Sequence, residues 1–456
     1  HALRSCGQVH AAFIFDSAIL DELPRADRRV EFIRDSVAAL DEDLRLLAKD
    51  EDAGIIARHA DSVDEMLRLA AELGVQAVFA NHDDEPLALA RDQRIREVLQ
   101  HAGIAFHTFK DHTIFERQEV MTQAGTPYTV FTPYKRSWLA KVDAFYLKSY
   151  TIAPHAASLM PRPASMRRAV PTLAELKFQP TNLNELQLAT GSAGGRGLLN
   201  AFAERIADYA DTRDFPAMNG ASLLGVHLRF GTVSIRELAR RAHASSAKGS
   251  DGAATWLGEL IWRDFFFQIL ANFPHVAGKN HAGANFRPAY NAIKWEEGPH
   301  ADELFAAWCE GRTGYPLVDA AMAQINRTGY MHNRLRMVVA SFLTKDLGID
   351  WRRGERYFAQ HLNDYELSSN NGNWQWAAST GCDAQPWFRI FNPVSQSKKF
   401  DADGRFITSY LPQLAGLAKD AIHEPWAHGV KGYPAPIVKH DEAREKTLKR
   451  YGAALK

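Results

Sequence analysis

Apolar and polar positions change rhythm along the chain. Val9 to Phe15 reads as a buried strand, and Phe32, Val37, Leu40, Leu44 and Leu47 then share one helical face. Gly54 to Ala57 predicts a second strand. Ser62 and Glu65 form a capping-box signature ahead of Met66, Leu67 and Leu69. Val75 to Ala80 and Ile104 to Thr108 supply two more strands. Strands separated by helices imply a parallel sheet covered on both faces. Residues 111–197 lose this rhythm, with Pro154, Pro161, Pro163, Pro171 and Pro180 among Ser, Thr and Arg, and read as a long connection. The run Gly191-Ser-Ala-Gly-Gly-Arg-Gly197 has no Gly-Lys-Ser/Thr ending and no clear strand before it. It reads as a flexible turn ahead of a helix from Leu198 to Tyr209, not as a phosphate loop. Helical patterns dominate from residue 198 onward. The expected fold class is α/β plus all-α: an α/β domain over 1–110, a connection over 111–197 and a large helical domain over 198–456.

Composition narrows the picture. No apolar run approaches the roughly 20 residues of a membrane helix, and no cationic start with an apolar stretch marks a signal peptide. The 3 cysteines, Cys6, Cys309 and Cys382, lack CxxC spacing, so no zinc site or disulfide framework is expected. A reducing, cytoplasmic setting fits. Lys plus Arg and Asp plus Glu both number 54, so any attraction for nucleic acid must be local. Of the 10 tryptophans only Trp138 precedes residue 198. A helical domain so rich in indoles has a heavy core or a large planar cofactor.

Three segments concentrate chemistry. In Trp256-Leu-Gly-Glu-Leu-Ile-Trp-Arg-Asp-Phe-Phe-Phe267, the residues Trp256, Glu259, Trp262, Arg263 and Phe266 share roughly one helical face. Rings mixed with a carboxylate and a guanidinium suit a pocket for a polar heterocycle as well as they suit an amphipathic surface. In Thr328-Gly-Tyr-Met-His-Asn-Arg-Leu-Arg-Met337, Asn333 and Met337 lie one turn apart with Arg336 beside them. Arg offers a planar fork of donors and Met a soft lining; on its own this segment reads equally as a helix start with surface arginines. The third, His361 to Trp376, packs two acids, four asparagines and two tryptophans into sixteen residues. Such polarity is costly in a core and points to a binding site.

The third segment, with Asn-Asn-Gly-x-Trp-Gln-Trp-Ala-Ala-Ser-Thr-Gly, resembles the signature of the photolyase and cryptochrome family, and the other two resemble the same family in the same order. The match covers nearly all of residues 200–456 and extends more weakly through the α/β part, including Tyr128-Thr-Val-Phe-Thr-Pro133. The resemblance implies that the helical domain holds FAD, active in its reduced form. Tyr209 and the turn Ala221-Ser222-Leu223-Leu224-Gly225 are then expected at its phosphates, and Trp256, Glu259, Arg263, Arg336, Asp364, Tyr365, Glu366 and Asn370 around the rest. Arg336 and Asp364 are expected to pair beside the flavin, with Asn370 facing its N5 position. The implied activity is light-driven splitting of cyclobutane pyrimidine dimers in DNA by one-electron transfer from the excited flavin. Glu259, protonated or sharing a hydrogen bond, and Asn333 are expected to bond the damaged bases. Met337, Trp262 and Trp376 are expected to wall the dimer. Trp374, Trp351 and Trp295 resemble an electron wire from flavin to surface. Arg213, Arg389, Lys398 and Lys399 are candidates for the flanking phosphates. No metal is expected, and a monomer is.

The family's opening strand has no counterpart here, so a central strand of the sheet is expected to be missing and its edges open. The usual Thr-Ser-Arg-Leu-Ser phosphate turn appears as Ala221-Ser-Leu-Leu-Gly225. An antenna pigment would sit in the α/β domain; Ala88 stands where folate-binding relatives carry a carboxylate, which argues against folate and leaves the pigment open. Two alternatives share the flavin pocket: a cryptochrome-type light receptor, and repair of the six-four photoproduct, which is expected to need a histidine pair where only His332 is near.

Overall fold

The computed structural model describes residues 1–279 and 282–455. They form two compact units. The first comprises 1–114, 142–203 and 223–241, and the second 115–141, 204–222 and 242–456. The stretch 111–197 is therefore shared between them.

In the first unit β1 (Ala11–Asp16) pairs in parallel with β2 (Ile55–Ala60), and β3 (Ala77–Asn81) with β4 (Ala105–Phe109). The two pairs are separate sheets. Among the described residues no strand lies on the second edge of β1 or β3, and a cleft of about 750 Å³ is lined by residues 9–12 and 75–79 over Met66, Leu69 and Leu73. The apolar runs place the strands: Phe15 and Ile55 are buried with Val30 and Val37 of helix Arg28–Ala48, and Val170, Leu176 and Phe178 complete that core. Leu40, expected on the same face, is exposed.

Two local expectations are corrected. Helix Ser62–Leu73 is capped by Asp61, whose carboxylate accepts from the N–H of Val63 at 2.9 Å and of Asp64 at 3.2 Å. Ser62 is inside the helix and donates its hydroxyl to Asp16 at 2.6 Å; an Asp one residue earlier out-competes it as cap. The glycine-rich run is not a turn but the start of helix Gly191–Ala203. The Ser36 hydroxyl accepts from Gly191 N at 3.0 Å, and a Cβ at Gly195 would come within 2.3 Å of Val233. Close packing, which only glycine allows there, overrides its poor helix propensity. The chain then breaks after Ala203, so no single helix reaches Tyr209.

The second unit is helical. Pro316–Thr328 is buried nearly all round, with Val318, Ala320, Ala321, Met322 and Ile325 at 0% exposure, as a central helix must be. It packs against Asn333–Ser341, while Trp308 and Trp351 fill the same core. Helix Asp251–Asn272 starts on Ser250, whose side chain accepts from Ala253 N at 3.2 Å. Two glycines bring the site-bearing helices close. At Gly354, in Trp351–His361, a Cβ would lie 2.1 Å from the Trp374 ring, and at Gly372, in Leu367–Ala378, 2.2 Å from the Phe266 ring. The final helix, His440–Ala454, docks through Thr447, whose hydroxyl donates to Lys345 O at 2.5 Å, and Tyr451, whose hydroxyl donates to Ala378 O at 2.8 Å. Among the described residues no helix is long and apolar enough to cross a membrane.

Candidate flavin and lesion site

A concavity opens between helices Asn333–Ser341, Trp351–His361 and Leu367–Ala378. It brings together Asn333, Arg336, Met337, Asp364, Tyr365, Glu366, Asn370, Trp374 and Trp376. Asn333 and Met337 are one turn apart and present themselves on one side, as their spacing requires. His332 caps that helix, its Nδ1 accepting from Arg334 N at 3.2 Å. Burial lowers the His332 pKa to about 4, so the ring is neutral and suited to accept.

Two ion pairs brace the concavity. Arg336 Nη2 donates to both Asp364 oxygens at 3.0 and 2.9 Å, and its Nε to Met331 O at 2.8 Å. Arg263, from helix Asp251–Asn272, donates to Glu366 at 2.7 Å with both side chains nearly buried. Ser369 donates to the other Glu366 oxygen at 3.1 Å. Each carboxylate thus has a cationic partner, which offsets the cost of removing it from water.

Asn370 is held by a residue that sequence reading missed. Its Nδ2 donates to Glu355 Oε1 at 2.8 Å and to Glu355 O at 3.0 Å. The amide oxygen stays available to accept. Burial pushes the Glu355 carboxyl up to about 7, against the opposing pull of the Asn370 hydrogen bond. In sequence Glu355 lies in Trp351-Arg-Arg-Gly-Glu-Arg-Tyr357, which reads as a solvated charged helix.

The other expected residues lie outside this lining. Glu259 forms an ion pair with Arg213, so neither side chain is free in this structure. Arg213 also lies over the Tyr209 ring at 5.7 Å, and burial raises the Tyr209 phenol. Arg334 pairs with Asp214 at 2.8 Å and lies 4.4 Å from the Phe400 ring centroid. Trp256 is buried, whereas Trp262 keeps part of its surface exposed. In the turn, Ala221 O accepts from Arg205 at 3.0 Å and Leu223 has φ +58°, ahead of the short helix Gly225–Arg229. Ser222 and Leu224 lie between them, Leu224 buried. Arg389 and Lys399 are exposed, and Lys398 pairs with Glu424 at 2.5 Å.

Trp374 is buried, edge-on to Phe358 at 5.0 Å and to Trp308 at 6.2 Å. Trp351 is at 0% exposure and donates Nε1–H to Asn285 at 2.9 Å. Trp295 is partly exposed, 6.1 Å from the Tyr451 ring. Among the described residues no cluster of His, Cys, Asp and Glu could hold a metal.

Residues 256–453 match the family model described as the FAD binding domain of DNA photolyase, and residues 1–157 the model described as DNA photolyase. A protein of Vibrio cholerae named deoxyribodipyrimidine photo-lyase is 41% identical over 85% of this chain and 81% of its own length. The chain belongs to the DNA photolyase family. A bacterial class III photolyase from Agrobacterium tumefaciens superposes with TM-score 0.86 at 32% identity, over 99% of this chain and 93% of that one. A cryptochrome of Synechocystis has the same fold, with TM-score 0.82 at 25% identity over 97% of this chain and 93% of its own. As a photolyase-family enzyme the chain has FAD as its cofactor. The concavity fits such a group: the Trp374 Nε1–H and the Ser368 hydroxyl are buried beside or within its lining helix with no protein partner. Buried donors of that kind are rare unless something accepts from them.

Proposed function

We propose that this chain repairs cyclobutane pyrimidine dimers in DNA under near-ultraviolet or blue light. The observation that carries the reading is the shared wall: Asn333, Met337 and Trp376 flank the same concavity that holds the Arg336–Asp364 pair and Asn370. FAD, when bound and reduced, supplies a light-excited one-electron donor. Around it Arg336–Asp364 and Arg263–Glu366 fix the polar edge, and Asn370 presents a neutral amide at N5, where a carboxylate would oppose negative charge on the ring. The Asn333 amide and Glu259 hydrogen-bond the bases, and Met337, Trp376 and Trp262 exclude water and pack the ring system. Tyr209 and the turn 221–225 hold the cofactor's phosphates.

Photolyases as a class take the damaged bases out of the stack, and damage lowers that cost by a few kcal/mol. Arg389, Lys398 and Lys399 receive the flanking phosphates. Arg213 joins them by exchanging Glu259 for phosphate, which frees the carboxylate for the bases. Trp374, Trp351 and Trp295 would relay single electrons from an external reductant at the surface toward the flavin, since indole is readily oxidised and then re-reduced. The deciding experiment illuminates the purified holoenzyme with a dimer-bearing oligonucleotide. Thymines restored in light and not in darkness support repair; a reversible colour change with no thymine restored assigns the chain to light sensing instead.

A further inference from the structure

Trp262 is the wall residue with the most elaborate support, and the support comes from another element. Phe131 opens helix Phe131–Lys141, and its ring lies flat on the Trp262 indole, centroids 3.6 Å apart and planes 7° apart. Phe265 meets both rings edge-on, at 5.5 Å from Trp262 and 5.8 Å from Phe131. Phe266 lies 5.5 Å from Trp262 at 26° and is lodged against Gly372. A column of rings therefore runs from Phe131 through Trp262 to the helix that carries Asn370 and Trp376. Phe131, Phe265 and Phe266 are buried while Trp262 keeps part of its surface exposed. An indole backed by three buried rings and open on its remaining side has a fixed plane.

Phe131 is itself tied down. Its N–H donates to Asp383 Oδ2 at 2.9 Å, across 252 residues of chain. A carboxylate at the first turn of a helix is favoured by the amides that point at it. Farther along the helix, Tyr134 and Trp138 are each 1% exposed, and Trp138 donates Nε1–H to Asp264 at 2.9 Å. The helix therefore has an anchorage of its own, independent of the Phe131 ring.

We propose that Phe131, held by Asp383, is a positioning residue for Trp262 and sets the plane against which a flipped dimer packs. The proposal rests on reading Trp262 as a lesion wall. The test is binding in the dark, by flavin-loaded enzyme, of a dimer-bearing oligonucleotide and its undamaged counterpart. Phe131→Leu raises the Kd for the damaged strand about two- to tenfold, the range of one aromatic pair. Affinity for the undamaged strand and the flavin absorption stay as they were. Phe131→Trp, which keeps a flat ring, restores discrimination. Asp383→Asn shifts discrimination in the same direction without emptying the core. In a Trp262→Ala background Phe131→Leu adds nothing, because the two residues act as one. Equal loss for damaged and undamaged strands, an additive loss in that background, or no shift in Asp383→Asn overturns the proposal. Normal dimer binding by Trp262→Ala overturns the reading of Trp262 and the proposal with it. Weak binding by Trp262→Ala beside normal binding by Phe131→Leu overturns the positioning alone.

Discussion

Glu355 decides how Asn370 is presented, because both hydrogen bonds from the amide nitrogen end on it. Its carboxyl is raised to about 7 from an ordinary value of 4.5, chiefly by burial. A raised acid favours the protonated form in the fold. The associated stability is therefore complete below about pH 4.5 and is lost as pH rises through 7, to the order of 3 kcal/mol. Glu355→Gln should flatten that dependence and leave the protein more stable than wild type above pH 7, read from urea midpoints at a series of pH values. The Arg336–Asp364 pair makes a different demand. Arg336→Ala strands a partly buried carboxylate, so flavin retention on gel filtration should fall and the urea midpoint should drop with it. Arg336→Lys should recover only part, since one ammonium cannot keep the Asp364 contact and the Nε–H bond to Met331 O together.

Between the elements, contact distance matters more than charge. Helices Trp351–His361 and Leu367–Ala378 can approach only because residue 354 lacks a Cβ. Gly354→Ala should push Trp374 aside at about 1–3 kcal/mol and loosen flavin binding, measured by thermal unfolding and flavin release. Asp61→Ala should cost about 1 kcal/mol by removing the cap of Ser62–Leu73, seen as a lower urea midpoint. These cases show what local pattern could and could not reveal. The four strands were legible because Phe15, Ile55 and Val78 belong to short apolar runs with turns on either side. The segments around Asn333–Met337 and Asp364–Trp376, which line the concavity, were legible because each keeps its polar and aromatic residues within a short stretch of chain. Gly191 to Gly197 was misread because its helix depends on Ser36 and Val233, which no window around it contains. Phe131 and Asp383 escaped for the same reason, since each acquires its role from a partner far along the chain, and Glu355 escaped because its partner Asn370 lies on the next helix, 15 residues on.

For the molecule as a whole, FAD is a structural partner as much as a reagent. It binds the folded protein and not the unfolded chain, so saturating flavin at 100 times Kd should add about 2.7 kcal/mol. Removing it should lower the thermal midpoint, a shift that calorimetry resolves. The first unit carries a separate vulnerability in the cleft between β1 and β3. In heavy water, the amides on that side of each strand trade hydrogen for deuterium well before those locked in the two ladders. A brief deuterium pulse would draw a line of early uptake down the middle of the first unit, along the unpaired sides of β1 and β3.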